Sequence, residues 1–145
     1  MPEFFGFDLR FVIAIVLSLA AGYIVGIERE ARGKVAGIST NCFVIGGSAI
    51  FTYLSTLVDP ESTSRIAAQL VTGIGFLGAG IILISDRDNK ITNLTTAASI
   101  WFSASIGMAI GFEYYFVAAV SVAFAVVIPR VPRFSKIKIT GEMDR

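Results

Sequence analysis

Long apolar stretches separated by short charged segments dominate the pattern of this chain. The clearest of them runs from Arg65 to Ile84 and carries no charge for 19 residues from Ile66 onward. At about 1.5 Å of rise per residue, a helix of this length spans a hydrocarbon core of roughly 30 Å. Four further apolar stretches cover 9–27, 42–58, 94–111 and 116–128. The pattern predicts an all-α membrane protein, a bundle of about five transmembrane helices.

The third apolar stretch is the predicted centre of this bundle. On a helical wheel its large aliphatic residues share one stripe, Ile66, Leu70, Ile74, Leu77, Ile81 and Ile84, and its small residues lie opposite. We expect the stripe to face lipid and the small residues to pack against other helices, because glycine lets membrane helices approach closely. The predicted packing glycines of the first and third helices are Gly22, Gly26, Gly73, Gly75, Gly78 and Gly80. Five short spans leave some small-residue faces unpaired, so we also expect a homo-oligomer, with a dimer favoured.

Composition restricts the class of protein further. With 54% hydrophobic and 16% charged residues, the chain is more apolar than a soluble domain requires, and the lipid bilayer is its expected surrounding. A net charge of +1 offers no basic surface for nucleic acid. One cysteine and no histidine argue against a cysteine metal cluster and against histidine catalysis. We therefore predict a protein that is not an enzyme and that needs no cofactor, Mg²⁺ being the one candidate.

Basic residues are distributed unevenly among the connecting segments. If the five stretches all cross the membrane, ten of the twelve Lys and Arg residues fall on one side, and only Arg10 and Arg65 fall on the other. Cytoplasmic segments carry the excess of basic residues, so we predict an N-terminus outside and a C-terminus in the cytoplasm. The predicted organisation is an interfacial lead over 1–8, a transmembrane domain over 9–131 and a basic cytoplasmic tail over 132–145.

A weak internal match relates the first helix hairpin to the second. At an offset of 56 residues Gly22 matches Gly78, and Lys34 matches Lys90. This agrees with a duplicated helix hairpin followed by a fifth helix. Chance similarity between two hairpins rich in Ala, Gly and Ile is the alternative.

Polar residues near the predicted cytoplasmic ends form the first candidate site. Its members are Glu28, Arg29, Thr40, Asn41, Thr95 and Thr96. Glu28 follows an apolar run at a helix C-terminus, where the helix dipole disfavours an acid, so a partner is expected for it. The alternative is that Glu28 and Glu30 form exposed pairs with Arg32 and Lys34, four residues on.

The opposite side of the membrane holds a second group of polar residues. Asp59, Arg65 and Gln69 are its predicted members, and Asp59, Glu61 and Gln69 are the candidate metal ligands. Arg65 is expected to anchor the third helix and to pair with an acid. Gln69 is interpreted either as a polar contact between helices or as a residue that lines an outer vestibule.

Four sequence motifs carry a resemblance to a known family. They are GIERE at 26–30, GKVAGISTN at 33–41, RIAAQLVTGIGFLGAG at 65–80 and LTTAASIW at 94–101. Together they resemble the MgtC/SapB family of bacterial inner-membrane proteins. The chain departs from the family at Ser39, where many members have arginine, and at Asn93, where many have glycine.

The resemblance implies a link to magnesium homeostasis, to virulence and to the bacterial inner membrane, without an established transport activity. It also implies F-type ATP synthase as a candidate partner, and a regulatory C-terminal domain in some members. From these implications we predict a regulatory membrane protein that acts in magnesium or envelope homeostasis through partner binding. A magnesium or other cation channel or permease is the main alternative, and a passive assembly subunit is a third.

Overall fold

Five α-helices make up the described part of this chain, with no strand in residues 8–84 and 92–131, which the computed structural model describes. The helices are α1 (Leu9–Ala31), α2 (Ile38–Val58), α3 (Ser64–Ile84), α4 (Leu94–Gly111) and α5 (Tyr115–Val127), and α5 continues into a 3-10 turn over Ile128–Arg130. The first four are long and apolar enough to cross a membrane. The predicted all-α membrane bundle is confirmed.

The fifth helix is shorter than the other four. Its 13 residues rise about 20 Å, which is less than the roughly 30 Å of a hydrocarbon core. The helix lies where it was predicted, but a fifth membrane crossing stays a prediction, and so does the orientation that depends on it. The predicted lead, apart from Asp8, and the basic tail over 132–145 lie outside the described residues.

Local backbone signals fix several helix ends. The side chain of Asp8 accepts a hydrogen bond from the backbone N–H of Arg10 and caps α1. Gly33 has a φ of 64°, and the N–H groups of Gly33 and Lys34 bond back to the carbonyls of Glu30 and Arg29. This is a Schellman motif, which needs the left-handed backbone that glycine adopts most easily.

Asn93 adopts the same left-handed backbone region, with a φ of 59°, directly before α4. Many members of the family that this chain resembles have glycine at this position. Asparagine is among the few other residues that enter this region at low cost. Asn93 therefore adopts, at low cost, a backbone conformation that is also open to glycine.

The centre of the bundle is formed by α2 and α4, so the prediction that α3 is central is wrong. Helix α4 contacts all four other helices, whereas α3 contacts only α2 and α4. An added Cβ on Gly22 would lie 2.5 Å from the Cα of Cys42, and one on Gly111 would lie 2.6 Å from the carbonyl oxygen of Ala49. Gly26 and Gly107 are equally close to the backbone of α2. The predicted close packing is therefore confirmed for Gly22 and Gly26.

The two faces of α3 are reversed relative to the prediction. Leu70, Ile74 and Ile81, which were expected to face lipid, pack against a buried cluster formed by α2 and α4. Gly78 is the exception among the small residues of α3: it is buried, and a Cβ added to it would lie in ordinary van der Waals contact with the Cβ of Ala97, at 3.6 Å. Nothing in the described chain lies within 4 Å of a Cβ built on Gly73, Gly75 or Gly80. The predicted close contacts are therefore not made at these three positions within the described chain: Gly73 lines an open groove between α2 and α3, Gly75 is exposed and Gly80 is half-buried.

Candidate functional site

Arg29, near the end of α1, is buried with 4% of its surface exposed. Its Nε donates a hydrogen bond to the carbonyl oxygen of Ala36 at 3.0 Å, and its Nη2 donates to Oγ1 of Thr96 at 3.0 Å. Ala36 lies just before α2, and Thr96 lies in the first turn of α4. One guanidinium group therefore connects the ends of three helices.

Asn41 extends this connection into the centre of the bundle and is fully buried, with 0% exposure. Its Nδ2 donates to the carbonyl oxygen of Gly37 at 2.7 Å and lies 3.4 Å from that of Ala36. Its Oδ1 accepts a hydrogen bond from Oγ of Ser103 at 2.8 Å. A continuous chain of hydrogen bonds thus runs from Thr96 through Arg29, Ala36 and Asn41 to Ser103, and we call it the arginine network.

Glu28 lies beside the arginine network but pairs with other cations. Its carboxylate, 5% exposed, is 3.5 Å from Nη1 of Arg32 and 4.0 Å from Nε of Arg130. The predicted pair with Arg32 is confirmed, but Glu28 is not an exposed member of it. A buried carboxylate needs such partners, because an unpaired charge in the interior is costly.

Glu30 caps the N-terminus of α2, a role that was not predicted from the sequence. Its Oε1 accepts a hydrogen bond from the backbone N–H of Ile38 at 2.9 Å. Ile38 is the first residue of α2, whose N–H groups would otherwise lack partners. The acid also lies favourably at the positive end of the helix dipole.

The structure joins part of the predicted cytoplasmic cluster. Arg29, Asn41 and Thr96 belong to the arginine network, and Glu28 lies next to it. Thr40 is half-buried and Thr95 is exposed, and neither makes a side-chain hydrogen bond within the described residues. The sequence interpretation did not include Ser103, which is 62 positions from Asn41, nor Arg130; no local pattern connects either residue to the cluster.

The opposite end of the bundle holds the second predicted group. Nη1 of Arg65 lies 3.9 Å from Oδ2 of Asp59, so the expected pair is present. Both side chains are largely exposed, and such a pair contributes at most about 1 kcal/mol. Glu61 and Gln69 are also exposed. Within the described ranges no three His, Cys, Asp or Glu residues are grouped as a metal site, and the candidate ligands Asp59, Glu61 and Gln69 stay a prediction.

A polar contact at this same end was not predicted. The hydroxyl of Tyr53 in α2 donates to a carboxylate oxygen of Asp8, the residue that caps α1. This hydrogen bond and that from the backbone N–H of Arg10 lower the pKa of Asp8 below its ordinary value. Arg10 in turn lies 3.4 Å from a carboxylate oxygen of Glu113.

A mostly apolar groove separates α2 from α3. Its volume is about 530 Å³, and its lining includes Phe43, Phe51, Leu70 and two polar residues, Ser48 and Gln69. Ser48 is buried, and its Oγ has no hydrogen-bond partner among the described residues. Gln69 therefore lies on the wall of a mostly apolar groove whose lining does not include Asp59, Glu61 or Arg65. The outer vestibule and the polar contact between helices both stay predictions for Gln69.

Four apolar helices of membrane-spanning length, three of which (α1, α2 and α4) are joined at one end by a buried polar network, define a helical membrane protein. A match to the MgtC family covers residues 15–136, and the chain belongs to that family. Over 118 residues it is 44% identical to the "Putative magnesium transporter YhiD" of Escherichia coli K12, covering 73% of this chain and 53% of the relative. Over 140 residues it is 34% identical to "Protein MgtC" of Salmonella paratyphi A, covering 93% of this chain and 60% of the relative.

A third relative is "Protein MgtC" of Brucella abortus, which is 42% identical over 108 residues and covers 74% of this chain and 44% of the relative. The chain thus spans about half the length of the curated relatives it matches. No solved structure matches it. Membership of the family confirms the predicted resemblance.

Proposed function

We propose that this chain is a regulatory membrane protein that acts in magnesium or envelope homeostasis by binding a partner. The observation that supports this proposal is the arginine network, which fixes the ends of α1, α2 and α4 relative to one another. Buried polar networks whose members are satisfied hold one arrangement of a core. The arginine network holds this end of the bundle in one arrangement, and Glu28, Arg32 and Arg130 lie beside it. This end of the bundle is therefore suited to recognising a partner.

The interior of the bundle offers little to a hydrated dication. Magnesium prefers six oxygen ligands in octahedral geometry and is usually bound through one or two carboxylates. In the described helices the carboxylates of Glu28 and Glu30 lie near the end of α1, and both are engaged with other groups. Between the two polar ends the groove contributes the Gln69 amide and the Ser48 hydroxyl. These groups make a poor pathway for an ion.

A cation permease is the second candidate function. It is favoured by the name of the Escherichia coli relative, "Putative magnesium transporter YhiD". The buried hydroxyl of Ser48, without a partner in the described chain, lies in the same groove as Gln69. An oligomer could combine these groups with Asp59 and Glu61 from several chains to line a pore.

The proposal places the protein in the bacterial inner membrane, with its N-terminus outside and its C-terminus in the cytoplasm. A homodimer would use the exposed face of α3 around Gly75, where glycine allows close approach of a second helix. F-type ATP synthase, implied by the family resemblance, is the candidate for a larger membrane partner. In this proposal magnesium is the ion whose homeostasis the protein regulates.

Growth of cells in low magnesium tests the regulatory function. We expect Glu28→Ala at normal protein levels to abolish the growth that the wild-type chain supports, because Arg32 and Arg130 lose the buried carboxylate that positions them. Glu61→Ala is the matched control, since Glu61 is an exposed acid at the opposite end. Normal growth of the Glu28 variant together with failure of the Glu61 variant would instead favour the permease.

A further inference from the structure

A second pocket lies between α1, α4 and α5, next to the arginine network. Its volume is about 280 Å³, and its polar lining comes from Arg29, Thr95 and Ser99. Its apolar lining includes Phe102, Phe124 and Ile128. The pocket is therefore amphipathic, with a cation and hydroxyl groups on one part of its wall and aromatic and aliphatic side chains on the rest.

The guanidinium of Arg29 lacks an anionic partner in the described part of the chain. Both of its hydrogen bonds end on neutral oxygens, a backbone carbonyl and a hydroxyl. Arginine carries five N–H donors, so most of its donors remain for another acceptor. A buried guanidinium binds a phosphate or carboxylate strongly, since two parallel charge-assisted hydrogen bonds match the planar fork.

The local charge also favours an anion. The one buried carboxylate nearby, Glu28, is within 4.0 Å of both Arg32 and Arg130. Glu28 is therefore already paired with two other arginines, and no ion pair joins it to Arg29 within the described residues. Arg130 follows Pro129, which itself lines the pocket, so a second cation lies close to the pocket.

We propose that this pocket binds the phosphate of an anionic phospholipid, with Arg29 as the anchor and the hydroxyl of Thr95 as a further donor; the Ser99 hydroxyl already donates to the carbonyl oxygen of Thr96. The apolar wall at Phe102 and Phe124 would take the start of an acyl chain. Basic pockets between transmembrane helices are known to bind anionic lipid headgroups. This site does not depend on the regulatory function proposed above, because a permease could hold the same lipid.

Lipid retention by the purified full chain tests the site. The protein in neutral detergent is mixed with equal amounts of phosphatidylglycerol and phosphatidylcholine, and the bound lipids are counted by native mass spectrometry. We expect phosphatidylglycerol to be retained at least about tenfold better, the factor that one charge-assisted hydrogen bond supplies. Arg29→Gln should abolish this preference, and Arg29→Lys should retain part of it.

A second variant keeps the test decisive if Arg29→Gln destabilises the fold. Ala98→Phe fills the pocket from an exposed position on α4 and leaves Arg29 in place. Ala123→Phe is its control, because Ala123 is an exposed residue of α5 outside the pocket lining. We expect Ala98→Phe to lose the lipid preference at an unchanged melting temperature and Ala123→Phe to keep it.

Three results would overturn the proposal. Equal retention of the two lipids by the wild-type chain would mean that no anionic headgroup is selected. Equal loss of the preference for phosphatidylglycerol in the Ala98→Phe and Ala123→Phe variants would show that the lipid binds outside this pocket. Binding of inorganic phosphate alone, with no preference between the lipids, would identify a free anion as the ligand instead.

Discussion

Replacing Gly107 with leucine is expected to prevent the native packing of α4 on α2. A Cβ at this position would collide with the carbonyl oxygen of Ile45 and would lie 2.6 Å from the Cβ of Ser48. The obstacle includes backbone, which cannot move aside as a flexible side chain can. Overpacking typically costs about 1–3 kcal/mol, so we expect Gly107→Ala to reach the upper part of this range and Gly107→Leu to yield little folded protein.

Thermal unfolding and elution volume in detergent measure this effect. Gly75→Leu is the matched control, because nothing in the described chain lies within 4 Å of a Cβ at Gly75. Its melting temperature should equal or exceed that of the wild type, since glycine is a poor helix former. A change of oligomeric state in the Gly75 variant alone would place the proposed homodimer on this face. Equal melting of the Gly107→Leu variant and the wild type would contradict the packing of α4 on α2.

Replacing Asn41 with leucine is expected to have the second largest effect on stability. The change removes an acceptor from Ser103 and a donor from the carbonyl of Gly37, both in the fully buried centre of the arginine network. A buried polar group left without a partner costs about 1–3 kcal/mol. We therefore expect the free energy of unfolding to fall by about 3 kcal/mol, with a lower melting temperature in detergent.

A double-mutant cycle isolates the contact between Asn41 and Ser103. Ser103→Ala alone should cost about 0.6–1.7 kcal/mol, the range measured for polar contacts between membrane helices. The double variant should cost less than the sum of the two single changes, because both remove the same hydrogen bond. Ser105→Ala is the control, since its hydroxyl bonds to the carbonyl of Phe102 in its own helix. Additive effects at Asn41 and Ser103 would show that the two residues are not coupled.

Helix positions were predictable from the sequence wherever an apolar run ends in polar residues. The bounds of α4 agree with the prediction at both ends, because TN precedes it and FEYY follows it. Helix α2 begins four residues earlier than predicted, at Ile38 rather than Cys42. The reason is a tertiary contact, the cap supplied by Glu30 from the end of α1, which no local pattern contains.

The face of α3 that packs against the bundle could not be predicted from its pattern of large and small residues. An amphipathic helix in water turns its apolar stripe inward, but lipid is as apolar as leucine and gives no such direction. Leu70 and Ile74 pack inward, while Gly75 faces out, so side-chain size alone was a misleading guide. In α1 the expectation that small residues pack against other helices was correct, because Gly22 and Gly26 allow the backbone of α2 to approach closely.

Part of the candidate site was predictable from residue chemistry. Arg29, Asn41 and Thr96 stood out as polar residues at the ends of apolar helices, and the structure joins the first and last of them by a hydrogen bond of 3.0 Å. Ser103 was not among the predicted site residues. Its role depends on how α2 and α4 are aligned, which is a property of the packed bundle.

Magnesium flux is the most direct test of regulation against transport. The purified protein is reconstituted in liposomes that contain a magnesium indicator, and a gradient is imposed across the membrane. We expect no saturable uptake above that of protein-free liposomes, because the groove offers only Gln69 and Ser48 as polar ligands. Saturable uptake that disappears in Gln69→Leu or Asp59→Asn would contradict the regulatory function and establish a cation permease.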